Sequence, residues 1–213
     1  MSRAQVNVIS ITLIVILSIV LVGTGYLWIK PLIEKKQDTL KVEKLLSDFS
    51  QENLDSLPRK IEHVAKTQAE VSFTISSDGI WRLYPSSYVG LENNSIEFFT
   101  FSKAITGKIS VGMWKSFVEG VTCPPSKGRI GEIPYVVCVR ADTFADGYNV
   151  TYKIIFRELE GVTRGSKINL EKWTAISPET STSRDIKIKR GDIYSRFLDT
   201  KTLIITEVKF SLV

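Results

Sequence analysis

The sequence predicts an α+β protein: a long apolar N-terminal helix with an amphipathic stalk, followed by an antiparallel β-rich domain of sandwich type. Three observations predict it. The run QVNVISITLIVILSIVLVGTGYLWI, residues 5–29, contains no charged residue. The stretch from Leu32 to about Lys66 is heavily charged and rich in helix formers, with apolar residues at three-and-four spacing. Beyond Gln68 the apolar period shortens to two, in short runs separated by turn-forming residues. The expected boundaries are a basic leader at 1–4, an apolar helix at 5–30, a helical stalk at 31–67 and a β-domain at 68–213.

The apolar run is the firmest element. At about 1.5 Å per residue, a helix of about 25 residues slightly exceeds the roughly 30 Å hydrocarbon core of a bilayer. Ile, Leu and Val point in every helical direction, so the segment needs apolar surroundings on its whole circumference. Lipid supplies these, and so does a bundle of identical helices. Arg3 and Lys30 bound the run, and Tyr26 and Trp28 fall where an interfacial aromatic belt belongs. A cleaved secretory signal has a shorter apolar region followed by a small-residue site, whereas this run ends in Tyr-Leu-Trp-Ile-Lys.

In the stalk, Ile33, Leu40, Leu45, Leu46 and Phe49 keep one face, and Leu54, Leu57, Ile61 and Val64 repeat the spacing. Asp55-Ser56-Leu57-Pro58 predicts a break and a fresh helix start, because proline suits a first turn and disfavours helix just before itself. His63, the one histidine, reads as a surface or packing residue.

Residues 71–75 and 80–84, joined by Ser77-Asp78-Gly79, predict a β-hairpin. Further strands are predicted at 95–101, 108–114, 135–139, 150–156, 185–189 and 202–213, the last paired inside a sheet. Asp142 with Asp146-Gly147 reads as a polar hairpin turn rather than a calcium loop, and Arg190-Gly191-Asp192 as a turn after a strand.

Cys123 and Cys138 enclose a Pro- and Gly-rich loop. In an oxidising compartment they form a disulfide; in a reducing one they remain two buried thiols. Zinc is disfavoured, because two cysteines and a distant His63 do not supply four ligands. Asn93-Asn94-Ser95 and Asn149-Val150-Thr151 fit the N-glycosylation pattern, making Asn93 and Asn149 candidate acceptors.

The front of the chain carries a more specific signal. Ser2-Arg3-Ala4 is a short basic leader ending in a small residue, with Gln5 and the apolar run directly after it. This resembles the class III prepilin leader of archaeal type IV pilins and archaellins, in which a membrane peptidase cuts before the apolar segment. Gln5 and Leu13 match the family's glutamine and leucine, Asn7 stands where the family has serine, and Ile9 replaces its glutamate. An acidic residue there is thought to guide subunit docking in related filaments, and this helix has none. The resemblance covers about the first 30 residues, the length of a membrane span. It implies cleavage between Ala4 and Gln5 by a prepilin-type peptidase, self-association through the helix, and a structural subunit of a cell-surface filament. The alternative is a single-pass membrane protein whose β-domain binds a partner without assembling.

Two arguments about sidedness conflict. Lys30, Lys35, Lys36, Lys41 and Lys44 follow the helix and only Arg3 precedes it, which by the positive-inside rule places the domain in the cytoplasm. The leader, the cysteine pair and the acceptor triplets point outside, and long domains translocate largely regardless of charge. The outside placement is the expectation.

Charge and motifs exclude other classes. The net charge of +5 is the difference of 28 basic and 23 acidic residues, interspersed, which does not indicate nucleic-acid binding. The chain has no GxSxG, no Walker loop and no HExxH. A non-enzymatic protein without cofactor or metal is expected.

Overall fold

The computed structural model describes residues 3–87, 93–118, 120–198 and 201–212, with side chains for all of these but 3–10 and 198. Two helices precede the strands: α1 (Arg3–Asp48) and α2 (Leu57–Thr67). The strands are β1 (Glu70–Thr74), β2 (Ile80–Tyr84), β3 (Ser95–Ser102), β4 (Lys115–Ser116), β5 (Gly128–Arg129) and β6 (Tyr135–Phe144). They continue as β7 (Gly147–Phe156), β8 (Leu159–Glu160), β9 (Arg164–Lys172), β10 (Thr180–Ser181), β11 (Asp185–Leu198) and β12 (Lys201–Leu212).

The predicted fold class holds: one long apolar helix leads into two mostly antiparallel six-stranded sheets. Sheet A runs β1-β11-β12-β9-β8-β5 and sheet B runs β10-β2-β3-β7-β6-β4. Two contacts in sheet A are parallel, β12 with β9 and β5 with β8. β12 therefore lies inside the sheet, as its apolar run predicts, antiparallel to β11 on its other side.

Helix α1 is 46 residues long and passes through Pro31. A proline there has no N–H to donate to the Leu27 carbonyl one turn earlier, a loss placed just beyond the apolar run. The chain breaks after Asp48, and α2 starts at Leu57 with Pro58 in its first turn, as predicted. α2 stops at Gln68, whose φ of 65° is left-handed.

The second half of the expected stalk belongs to the domain. Val42, Leu45, Phe49, Leu57, Ile61 and Val64 are fully buried and join the same apolar cluster as the strands. α2 lies against β1, β11 and β12 of sheet A, while the end of α1 lies against β3 of sheet B. The Phe49 ring stacks on Tyr152, 4.9 Å between centroids and 11° between planes, and stands 6.2 Å from Trp81. The amphipathic pattern is real, but the partner of its apolar face is the β-domain's own core. The part of α1 before Val42 contributes no side chain to that core.

Three strand-level expectations are corrected, and one long strand is added. Residues 71–75 and 80–84 do not form a hairpin: β1 pairs with β11 in sheet A and β2 with β3 in sheet B. The Ser-Asp-Gly step instead crosses between layers. Gly79 is needed there because a Cβ would stand 2.2 Å from the Phe99 carbonyl oxygen. Residues 108–114 are irregular, touching β6 through one bridge, Val111 to Ala141, before Gly112 turns to a φ of 74°. Arg190-Gly191-Asp192 is a bulge within β11, where the register to β12 shifts, not a turn after a strand. β9 was not expected. Its sequence RGSKINLEK contributes only Ile168 and Leu170 to the core, too few for a visible alternation. The turn at Asp146-Gly147 is a tight hairpin as predicted, pairing Phe144 with Gly147.

Asn94 ties the two sheets together. It is 2% exposed with a left-handed φ of 58°. Its Nδ2 donates to the carbonyls of Phe156 (3.0 Å) and Ile168 (2.8 Å), and its Oδ1 accepts from the Leu170 N–H (2.8 Å). Phe156 lies on β7 of sheet B, and Ile168 and Leu170 on β9 of sheet A.

Candidate functional site

The feature that demands an explanation is the free part of α1. Between Ile11 and Val22, ten large apolar side chains are each 51 to 72% exposed, and nothing in the β-domain covers them. At about 1.5–3 kcal/mol for each such side chain left in water, ten amount to about 15–30 kcal/mol. That exceeds the whole stability of an ordinary domain, about 5–15 kcal/mol. Apolar surroundings would remove that cost. Thr24 turns its hydroxyl back to the Val20 carbonyl, so it presents no unpaired donor to them. One helix of the described chain is long and apolar enough to cross a membrane.

Past the apolar run, Tyr26 and Trp28 are exposed, then Lys30 forms a long contact of 4.0 Å with Glu34. From Glu34 onward the helix is clamped to the domain. Lys103, just after β3, reaches Glu34 Oε2 at 3.0 Å and Asp146 Oδ2 at 3.8 Å, and its backbone N–H donates to Asp38 Oδ2 at 2.8 Å. The hydrogen bond and charge of Glu34 hold the Lys103 ammonium above its ordinary pKa. Further along, Asp48 Oδ2 accepts from the Ser76 N–H at 2.9 Å, and Phe49 enters the core. Helix and domain thus meet through a surface clamp, a buried ring stack and α2.

Beside the end of α1, Leu46, Thr106, Lys108, Lys115 and Phe117 line an open groove of about 970 Å³. Its charges are mixed, with Glu43 and Glu52 on the same groove as Lys108 and Lys115.

The residues singled out in the sequence fall as follows. Ala4 and Gln5 lie on the α1 backbone, and their side chains are outside the described set, as is Ser2 altogether. Cys123 and Cys138 are joined, with Cα atoms 6.1 Å apart. Cys138 is fully buried in β6 on the side of sheet B away from the main apolar cluster, so the bond fastens the Pro-rich loop over that outer face. On the same face Lys153 pairs with Glu97 at 2.7 Å, both almost completely buried. Asn93 and Asn149 are exposed, but Ser95 and Thr151, which complete their triplets, are buried in β3 and β7. His63 sits on the exposed side of α2. The clamp residues Glu34, Asp38 and Lys103 were not legible, because nothing local links a stalk carboxylate to a lysine nearly 70 residues on.

The fold and the free helix together define a class: a β-sandwich carried on a rod of membrane-spanning length. Comparison with protein-family models, with curated proteins and with solved structures finds no match to this chain.

Proposed function

We propose that the chain is a pilin-like structural subunit of a cell-surface filament, resting in the membrane through its N-terminal helix before assembly. The observation that carries this reading is the bare apolar surface of α1, exposed on its whole circumference while its far end is built into the domain core. Such a helix exchanges lipid contacts for contacts with copies of itself without meeting water. The leader at Ser2-Arg3-Ala4 and Gln5 supports processing by a prepilin-type peptidase. The disulfide supports an oxidising location for the β-domain, outside the cell. In this reading the exposed Asn93 and Asn149 are available to glycosylation, and the domain acts as a surface module and not as an enzyme.

A second reading, a single-pass accessory protein that stays in the membrane, is favoured by one observation. The residues from Gln5 to Ile29 contain no carboxylate, so the docking charge of related filament helices is missing.

N-terminal sequencing and intact mass of protein from native membranes separate the two. A chain beginning at Gln5, together with loss of processing and of surface filaments in Ala4→Leu, is the expected result. An intact leader in mature protein overturns the filament reading and leaves the anchored one.

A further inference from the structure

We propose that the turn between β6 and β7 is a second membrane contact, in which Phe144 and Phe101 enter the lipid headgroup layer beside the emerging helix. The inference rests on reading α1 as a membrane span. Its basis is the clamp, which fixes the level of this turn relative to the apolar run. Glu34 is five residues past Ile29, about 7–8 Å along the helix axis. The headgroup region of one leaflet is about 5–8 Å deep, half the difference between the full and hydrocarbon thicknesses of a bilayer. Lys103 joins Glu34 to Asp146, and Asp146 is in the turn itself. The turn is therefore held where lipid headgroups end.

Its side chains suit that place. Phe144 is 57% exposed and meets Phe101 edge-on, with ring centroids 6.5 Å apart. Phe101 lies across the backbone of Gly147, where a Cβ would stand 2.6 Å from its ring. The pair is thus fitted to the turn and still open to the outside. Met113, two residues beyond the Val111–Ala141 bridge along β6, adds an exposed apolar side chain at the same end of sheet B. Aromatic rings at the polar–apolar boundary are stabilised by burying their faces while the surrounding groups stay wet. Around them, Lys30, Lys35, Lys36 and Lys103 stand against Glu34, Asp38 and Asp146, with Arg140 paired to Asp142 at 2.9 Å. The charge is close to balanced, so the contact is driven by the rings and does not require anionic lipid.

The test uses the full chain reconstituted into phosphatidylcholine vesicles. The native cysteines are bonded to each other, so a single added cysteine takes a fluorescent label cleanly. Labels are placed at Leu21→Cys in the helix, Phe144→Cys in the turn and Val162→Cys in the loop past the far end of β7. That loop is removed from the turn by nine strand residues, about 30 Å. Quenching by lipids brominated along the acyl chain and by an aqueous quencher is read for each. The expected pattern is strong lipid quenching at 21, clear but weaker lipid quenching at 144 with at least twofold protection from the aqueous quencher, and neither at 162. Adding Lys103→Ala to the Phe144→Cys protein is expected to reduce that protection by about half. Strong quenching at 21 with position 144 behaving like 162 overturns the second contact and leaves the anchor standing. No lipid quenching at 21 overturns the membrane reading and this inference with it.

Discussion

Replacing Phe49 by alanine tests whether the end of α1 is part of the domain or merely rests on it. The ring is fully buried, stacks on Tyr152 at 4.9 Å and stands 6.4 Å from Phe98. Removing a buried aromatic side chain costs about 3–5 kcal/mol, and each aromatic pair adds about 0.5–1.5 kcal/mol beyond area burial. The walls of this site are strand residues held by sheet hydrogen bonding, which limits collapse into the void and favours the upper half of the range. Against a stability of about 5–15 kcal/mol this is a large fraction. For a domain of this size, the fall in melting temperature is about 6–20 °C, at roughly 2–4 °C per kcal/mol. The assay is thermal and guanidinium unfolding of the full-length chain in detergent micelles, followed by near-ultraviolet circular dichroism, which reports the packed aromatic core. Leu40→Ala, two residues before the first core residue Val42 and 56% exposed, is the control and is expected to stay within about 0.5 kcal/mol. A Phe49→Ala loss below about 1 kcal/mol, equal to that of the control, refutes the claim that residues 42–67 belong to the β-domain.

Asn94→Ala removes three buried hydrogen bonds and strands the backbone groups of Phe156, Ile168 and Leu170; a loss of about 2–5 kcal/mol in the same unfolding assay is expected. Opening the Cys123–Cys138 bond, whose partners are 15 residues apart, is expected to lower stability by about 3 kcal/mol, measured by comparing oxidised protein with the Cys123→Ser, Cys138→Ser double variant. The alkaline limit is set by buried phenols. Burial pushes Tyr135 up to about 12 and Tyr152 higher still, the latter also through the Asp48 carboxylate. Unfolded tyrosine ionises near pH 10, so their contribution is complete below that pH and is lost as pH rises through the folded values. The expected slope above about pH 10 is roughly 1.4 kcal/mol per pH unit for each phenol, and Tyr135→Phe halves it in a titration of guanidinium midpoints.

What the sequence made legible was local chemistry that the tertiary structure did not override. The charge-free run to Ile29, the Ser56-Leu57-Pro58 helix start, and the alternating runs of β3, β6, β7 and β12 all appear where their side-chain periods place them. The disulfide was one of two open outcomes for the cysteines, and the structure contains it. The failures share a cause. Ser77-Asp78-Gly79 carries the same turn chemistry whether the flanking strands pair with each other or leave for different sheets, and only the distant β3 and β11 decide. β9 is hidden because only Ile168 and Leu170 of its nine residues join the core, while the rest are mostly polar or charged. The amphipathic face of residues 42–64 was visible, but its covering surface is assembled from strands scattered along the chain, from β1 and β3 to β7, β11 and β12. Asn94 read only as the middle residue of the triplet whose acceptor is Asn93, while its actual work as a clasp depends on two carbonyls and an amide that no local pattern connects to it.

The central position of β12 in sheet A constrains how the molecule is made. Without it, β1–β11 and β9–β8–β5 have no edge in common, so that layer cannot exist until translation has passed Leu212. The apolar helix precedes all the strands in the chain, and β12 follows every strand that it joins. Wide sequence separation between β1 and its partner β11 makes closure of that layer slow. Deleting β12 would consequently leave this layer in two unconnected pieces rather than merely narrower.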